Sequence, residues 1–173
     1  MALRDEILAA NERYASSFSK GQLPMPPARR FAVVTCMDAR LDPAKFLGLA
    51  EGDAHVIRNA GGIVTDDALR SLVISHWLLG TQEALVIGHT DCGMLTFTND
   101  QLRRKLADEA GADASGIDFH PFASLEDRVA ESVRRIRESN LLPDSFGASG
   151  FVYDVAAGQL REVAVPVGAG ASA

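Results

Sequence analysis

The chain alternates between short, almost wholly apolar runs and longer segments in which apolar residues recur every three or four positions. Phe31-Ala32-Val33-Val34-Thr35-Cys36 and Ala84-Leu85-Val86-Ile87-Gly88-His89 are runs of the first kind, and their length and β-branched content predict buried strands. His55-Val56-Ile57-Arg58, after a Gly52-Asp53 turn, predicts another strand between them. The periodic segments predict helices. Leu3, Ile7, Tyr14 and Phe18 share one face of a helix over 3–19, which Gly21 and the Pro24, Pro26, Pro27 cluster bring to an end. Pro43 opens a short helix through Leu49. Thr65 caps a longer helix with Asp66 and Asp67 in its first turn, Leu69, Leu72, Val73, His76 and Trp77 as its inward stripe, and Gly80 as its stop. Residues 99–110 predict a polar surface helix and 111–122 a loop. Ser124 then caps a helix that turns Leu125, Val129, Val133 and Ile136 inward. Phe151–Val155 and Arg161–Val165 predict a hairpin around an Ala-Ala-Gly-Gln turn.

Strands alternating with helices and then a hairpin predict an α/β fold. The expected form is a mostly parallel central sheet of about five strands flanked by helices. Four strands are parallel, and the hairpin adds an antiparallel edge strand. No internal repeat and no long linker divides the sequence, so 1–173 reads as one domain, with a helical arm at 1–20 and a small-residue tail at 168–173 expected to be disordered.

Composition narrows the function. Apolar residues at 47% and charged residues at 23% argue against whole-chain disorder. A net charge of −6, from 17 basic and 23 acidic residues, makes a nucleic-acid backbone an unfavourable partner. The basic pair Arg134-Arg135 falls on an amphipathic helix and reads as its solvated face. No apolar run reaches the roughly 18 residues of a membrane span. Arg4, Asp5, Glu6, Glu12 and Arg13 interrupt the first twenty residues, unlike a signal peptide, so a cytoplasmic protein without membrane partners is expected.

Only two cysteines occur, Cys36 and Cys92. In a cytoplasmic protein they read as inert core thiols or as metal ligands rather than a disulfide. Their neighbours favour ligands. Cys36-Met37-Asp38-Ala39-Arg40 directly follows the first predicted strand, and His89-Thr90-Asp91-Cys92-Gly93 directly follows the third. Ligands of open α/β sheets bind beyond the carboxyl ends of strands, where strand order reverses, so both motifs are expected to face one crevice. Two thiolates and an imidazole suit tetrahedral zinc, and three protein ligands leave the open fourth position of a catalytic site. Asp38 is close enough to compete for that position, and Arg40 could hold it away through a bidentate pair, the plain alternative being a surface ion pair. His76 reads as a core or interface histidine, His120 as a surface residue with proton shuttling conceivable, and Trp77 as core. Met94, Leu95 and Phe97 read as core, interface or pocket wall. Asp91 either supports the site from behind or caps the next turn.

Together the paired motifs resemble the signature of the β-class carbonic anhydrase family, and the likeness continues through Gly52-Asp53-Ala54-His55-Val56-Ile57-Arg58-Asn59-Ala60-Gly61-Gly62. It is close over residues 30 to 98, strongest toward small bacterial members and the carbonyl sulfide hydrolases grouped with them. The resemblance implies one zinc ion per chain on Cys36, His89 and Cys92, and Asp38 and Arg40 as the dyad that gates the fourth zinc position. It implies a substrate pocket bordered by His55, Asn59, Gly61, Gly62 and Gly93. It also implies reversible hydration of carbon dioxide to bicarbonate by zinc hydroxide, and a homodimer or homotetramer in which the first helix crosses the partner. Many members carry a glutamine nine residues before the first zinc cysteine, where this chain has Pro27; Gln22 is too far back to replace it. Hydrolysis of carbonyl sulfide, also linear, is the alternative reaction, and no residue separates the two substrates. A structural or regulatory zinc module, with four protein ligands, is the alternative without turnover. A dinucleotide-binding domain is excluded, since no G-x-G-x-x-G follows the first strand.

Overall fold

The computed structural model describes residues 2–166, so the segment 168–173 expected to be disordered lies outside the described residues. Its elements run α1 (Leu3–Ala15), β1 (Phe31–Cys36), α2 (Pro43–Phe46), β2 (Ala54–Asn59), α3 (Asp66–Leu79), β3 (Glu83–His89), a 3-10 turn (Gly93–Leu95), α4 (Asn99–Ala110), α5 (Leu125–Arg137), β4 (Gly147–Asp154) and β5 (Gln159–Val163). The sheet order is β2-β1-β3-β4-β5. Strands β1 to β4 pair in parallel, and β5 runs antiparallel along β4, as the strand–helix alternation and hairpin predicted. After β1 the chain moves to one side of it for β2, then crosses to the other side for β3. The β1–β3 seam is therefore the switch point of the sheet, and Cys36 and His89 end the two strands that flank it.

Helices α3 and α5 cover one face of the sheet. There Leu72, Val129, Val133 and Ile136 pack onto Ala32, Val34, Val86 and Val152 in the main core. Phe31, Val33 and Ile87 point to the other face, where Phe46, Leu47 and Leu49 lie against them. Strand β1 is buried along its whole length because it has neighbours on both edges and packing on both faces. The caps at Thr65 and Ser124 follow the sequence signals, and a third forms at Thr98. Thr65 accepts from the Ala68 N–H, Thr98 and Gln101 form a reciprocal capping box, and Ser124 accepts from the Asp127 N–H. The basic run Arg103-Arg104-Lys105 on α4 is offset by Asp100 and Glu109, which pair with Arg103 and Lys105.

Several boundaries shift for local reasons. Helix α1 stops at Ala15 rather than 19, because the Ser16 and Ser17 hydroxyls donate to the carbonyls of Arg13 and Tyr14 and turn the chain. Helix α2 ends at Phe46, with Gly48 at φ 62 and the Leu49 N–H returning to the Ala44 carbonyl. Strand β4 begins at Gly147, four residues earlier than the composition indicates, and β5 spans Gln159–Val163 rather than 161–165. Gly147-Ala148-Ser149-Gly150 has little strand propensity, yet β3 pairs with it from Glu83 onward, and Gly150 admits Val129 and Val133 of α5. Trp77 is not core. The buried stripe of α3 is Ala68, Leu72 and Ser75, and Trp77 is 62% exposed with its indole N–H donating to the Leu141 carbonyl. Helix α1 buries none of its residues, and Leu3, Ile7, Tyr14 and Phe18 all stand exposed. The Tyr14 hydroxyl and Lys20 ammonium tie the arm to Glu51. Among the described residues no helix is long and apolar enough to cross a membrane.

Gly88 carries the close approach of α5 to the sheet. A Cβ there would lie 2.7 Å from Leu125 Cδ1 and 2.8 Å from Val129 Cγ2. Gly88→Ala is expected to cost about 1–3 kcal/mol of stability through overpacking, read as a lower urea midpoint with an unchanged slope.

Candidate metal centre

Strand register builds the site from the backbone upward. Cys36 is the last residue of β1, opposite Asn59 of β2, and His89 is the last residue of β3, opposite Tyr153 of β4. Beyond His89 the chain turns through Thr90 and Asp91 to Cys92. Thr90 fastens this turn to β4, accepting from the Val155 N–H at 3.0 Å through its hydroxyl and donating its own N–H to the Tyr153 carbonyl at 2.9 Å. The two sulfurs and an imidazole nitrogen then all lie within 4.8 Å of one another. All three side chains are buried, His89 completely.

Protonation fits a ligand set. The Nδ1 of His89 lies 2.9 Å from the Thr90 carbonyl, which only accepts, so Nδ1 carries the hydrogen and Nε2 presents a lone pair. That Nε2 is buried without any hydrogen-bond partner. A buried polar nitrogen facing two sulfurs with nothing to bond is costly in a metal-free protein and natural in a zinc site, so these residues fit zinc. The Cys36 thiol is pushed down to about 4, first by the hydrogen bond from Cys92, then by His89 and the backbone N–H groups of Asp38 and Gly61, against the opposing effect of burial. Cys92 is pushed up, because it gives that hydrogen bond and is itself buried. For His89, burial acts to lower the pKa, but the neighbouring Cys36 sulfur, the Thr90 carbonyl and Asp38 together raise it.

Asp38 stands beside this cluster with one carboxylate oxygen 3.9 Å from His89 Nε2. Arg40 grips it in a bidentate pair, Nε to Oδ1 at 3.0 Å and Nη2 to Oδ2 at 2.8 Å, and the Arg40 backbone N–H adds a third bond at 2.9 Å. That grip holds the Asp38 carboxyl well below the usual carboxylate range. Arg40 in turn donates to the Asp91 carboxylate at 2.6 Å and to the Asp91 carbonyl at 2.9 Å. Arg58 braces the same loop from β2, donating to the carbonyls of Cys36 at 2.9 Å and Asp38 at 2.7 Å.

The residues expected around a pocket divide. Gly62, at φ 63, presses so closely on the end of β1 that a Cβ would sit 2.8 Å from the Cys36 nitrogen, and Gly61 turns an N–H toward the Cys36 sulfur. Gly93 borders Cys92, with open space where a side chain would be. Asn59 spends its side chain on the backbone of Ile63, at 2.7 and 2.9 Å, and so shapes the Gly61-Gly62 loop from behind. His55 is not brought to the cluster within this chain. It pairs with Ala32, four positions or about 13 Å before the strand end that carries Cys36, and its Nδ1 bonds Ser75 at 2.7 Å. Pro27, at the position of the family's glutamine, is buried. Of the other candidates, Met94 is buried, Leu95 and His120 are exposed, and Phe97 packs against the main core. Sequence reasoning assigned no role to Arg58 and left that of Asp91 open. The signal for Arg58 was its strand register beside Thr35, which needs the β1–β2 pairing to be known.

An α/β sheet with a buried Cys-His-Cys cluster at its switch point and a carboxylate held off by arginine defines a class of proteins built to hold a metal such as zinc. A profile described as carbonic anhydrase matches residues 31–160. A β-carbonic anhydrase 1 of Mycobacterium tuberculosis is 52% identical over 164 residues, covering 94% of this chain and 99% of that protein. A carbon disulfide hydrolase of Acidithiobacillus thiooxidans is 32% identical over 181 residues, covering 93% and 90%. The crystal structure of a carbonic anhydrase from Streptococcus mutans superposes with a TM-score of 0.91 at 47% identity, covering 95% of this chain and 99% of that one. The chain belongs to the β-carbonic anhydrase family.

Zinc binding at this cluster would have to displace the proton that Cys92 keeps at neutral pH and, in acid, the one that His89 gains. The apparent zinc affinity is therefore expected to rise with pH, about tenfold per unit while one proton is released and about a hundredfold per unit where His89 is also protonated. Competition against a chelator across pH checks this, and a pH-independent affinity contradicts it.

Proposed function

We propose that this chain is a zinc enzyme that hydrates carbon dioxide reversibly to bicarbonate, with Cys36, His89 and Cys92 holding the ion. The observation that carries the proposal is the completely buried, unpartnered Nε2 of His89 beside two sulfurs, with Asp38 drawn aside by Arg40. When bound there, zinc supplies a Lewis acid that makes water a usable nucleophile near neutral pH. The chain's own residues do the rest. Asp38 stays ionised under the hold of Arg40, so it accepts a hydrogen bond from the attacking oxygen and turns that oxygen's lone pair toward the substrate. Thr90 fixes the His89 tautomer, and Arg58 and Gly62 hold the Cys36–Asp38 backbone in register with it. Pro27 offers no side-chain donor where the family often has glutamine, so substrate orientation falls to other groups. Gly61, Gly62 and Gly93 border the pocket with backbone rather than side chains. Asn59 shapes it indirectly, and His55 contributes to a pocket only across an assembly.

A homodimer or homotetramer belongs to the same reading. It is supported by an α1 that leaves its apolar face exposed. A single domain in the cytoplasm is likewise proposed, which suits two neighbouring cysteines that are free thiols. The second reading is hydrolysis of carbonyl sulfide or of carbon disulfide, the substrate in the name of the 32%-identical relative, by the same attack on another linear molecule. Greater identity to a carbonic anhydrase, at 52%, favours carbon dioxide.

Purified protein is expected to hold one zinc per chain and to accelerate proton release from carbon dioxide in a stopped-flow indicator assay. Asp38→Asn should lower kcat/KM by about 100-fold with zinc content unchanged. Cys92→Ser should lose the zinc itself. Sulfide release from carbonyl sulfide or carbon disulfide without carbon dioxide hydration would replace the first reading by the second.

A further inference from the structure

One guanidinium joins the two motif loops. The Nε–Nη2 edge of Arg40 faces Asp38 after β1, and its Nη1–Nη2 edge faces both the carboxylate and the carbonyl of Asp91 after β3. We infer that Asp91 is a positioning residue for the reaction: by fixing Arg40 it keeps Asp38 turned away from the fourth position of the Cys36–His89–Cys92 site. The inference rests on the zinc reading above and deepens it.

Arg40 needs such an anchor. Its side chain is 47% exposed, and an ion pair that open exchanges readily with solvent. Asp38 is mostly covered and has an oxygen only 3.9 Å from His89 Nε2, so it has somewhere else to go once released. Two further acceptors at 2.6 and 2.9 Å mean that the guanidinium cannot swing into solvent without breaking its bonds to both loops together. The backbone suits the task. Asp91 sits at φ 55, a left-handed conformation that Asp and Asn tolerate better than most side chains, and both of its oxygens meet the same guanidinium. Capping of the next turn does not explain the residue, because Cys92 holds the N-cap of Gly93–Leu95 and no side chain caps it. At 79% exposure the Asp91 charge is screened, so what the residue supplies is acceptor geometry, which asparagine shares.

Asp91→Gly removes the carboxylate while adopting φ 55 without strain, and Asp91→Asn keeps an acceptor. The first readout is the ¹H–¹⁵N resonance of Arg40 Nε in the metal-free full chain, identified by its loss in Arg40→Lys. It is expected to persist in Asp91→Asn and to broaden or vanish in Asp91→Gly. An unchanged resonance in Asp91→Gly overturns the inference whether or not the protein takes up zinc. The second readout is thiocyanate affinity of the zinc-loaded protein by calorimetry, since the anion and Asp38 compete for one position. Asp91→Gly is expected to weaken binding about 3- to 10-fold and Asp91→Asn less than about 2-fold, the Asp91→Gly loss disappearing in an Asp38→Ala background. An unchanged affinity, or an equal loss without Asp38, overturns the inference. Failure of the chain to bind zinc at all sinks the functional reading, and the Arg40 resonance still decides whether Asp91 holds the guanidinium.

Discussion

A completely buried imidazole nitrogen with no partner, set among two sulfurs, is the constraint around which this structure is arranged. Leaving it empty carries the full desolvation cost of a polar group, and a second thiol next to a thiolate adds repulsion as soon as both ionise. The cluster answers with a shared proton: Cys92 keeps its hydrogen, Cys36 gives its own up, and His89 gains proton affinity from the negative sulfur. A divalent cation would relieve all three tensions together. Cys36, His89 and Cys92 would hold it through the Nε2 lone pair and both sulfurs, and the retained proton would then be unnecessary.

Everything nearby keeps that cluster in place without occupying it. The Thr90 carbonyl commits Nδ1 of His89, so the other nitrogen is the one on offer. Gly62 lets the loop after β2 lie directly on the end of β1, and Asn59 staples that loop to Ile63. Arg58 locks the carbonyls of Cys36 and Asp38, and Arg40 draws the nearest carboxylate away. None of these groups competes for the sulfurs. The result is a buried Cys-His-Cys cluster with a restrained carboxylate beside it, an arrangement that would leave room for solvent on a bound metal.

Other parts of the surface are organised by what they leave uncovered. Helix α1 buries nothing, β2 and β5 are the two outer strands of the sheet, and Trp77 and Leu78 stand out from α3. An amphipathic helix gains most of its stability from packing its apolar face. The exposed face of α1, tied to the body through Glu51, therefore suits contact with another surface.

Much of this was legible in the residues. Apolar runs of six placed β1 and β3, the capping residues Thr65 and Ser124 placed two helices, and the only two cysteines, one ending the first run and one three residues beyond the other, marked the candidate metal site. These features are local, set by propensity, capping and periodicity within a dozen residues. What the chain order could not express was decided by pairing across the sheet. Strand β4 runs through Gly-Ala-Ser-Gly because β3 offers it a ladder and α5 needs the space, and Trp77 turns outward because the stripe that meets β1 and β2 is Ala68-Leu72-Ser75. His55 lies four strand positions from the end that carries Cys36, and Asp91 meets Arg40 across 51 residues of chain. Such contacts depend on register and on the direction of a side chain after two loops have closed, and no window of sequence contains both partners.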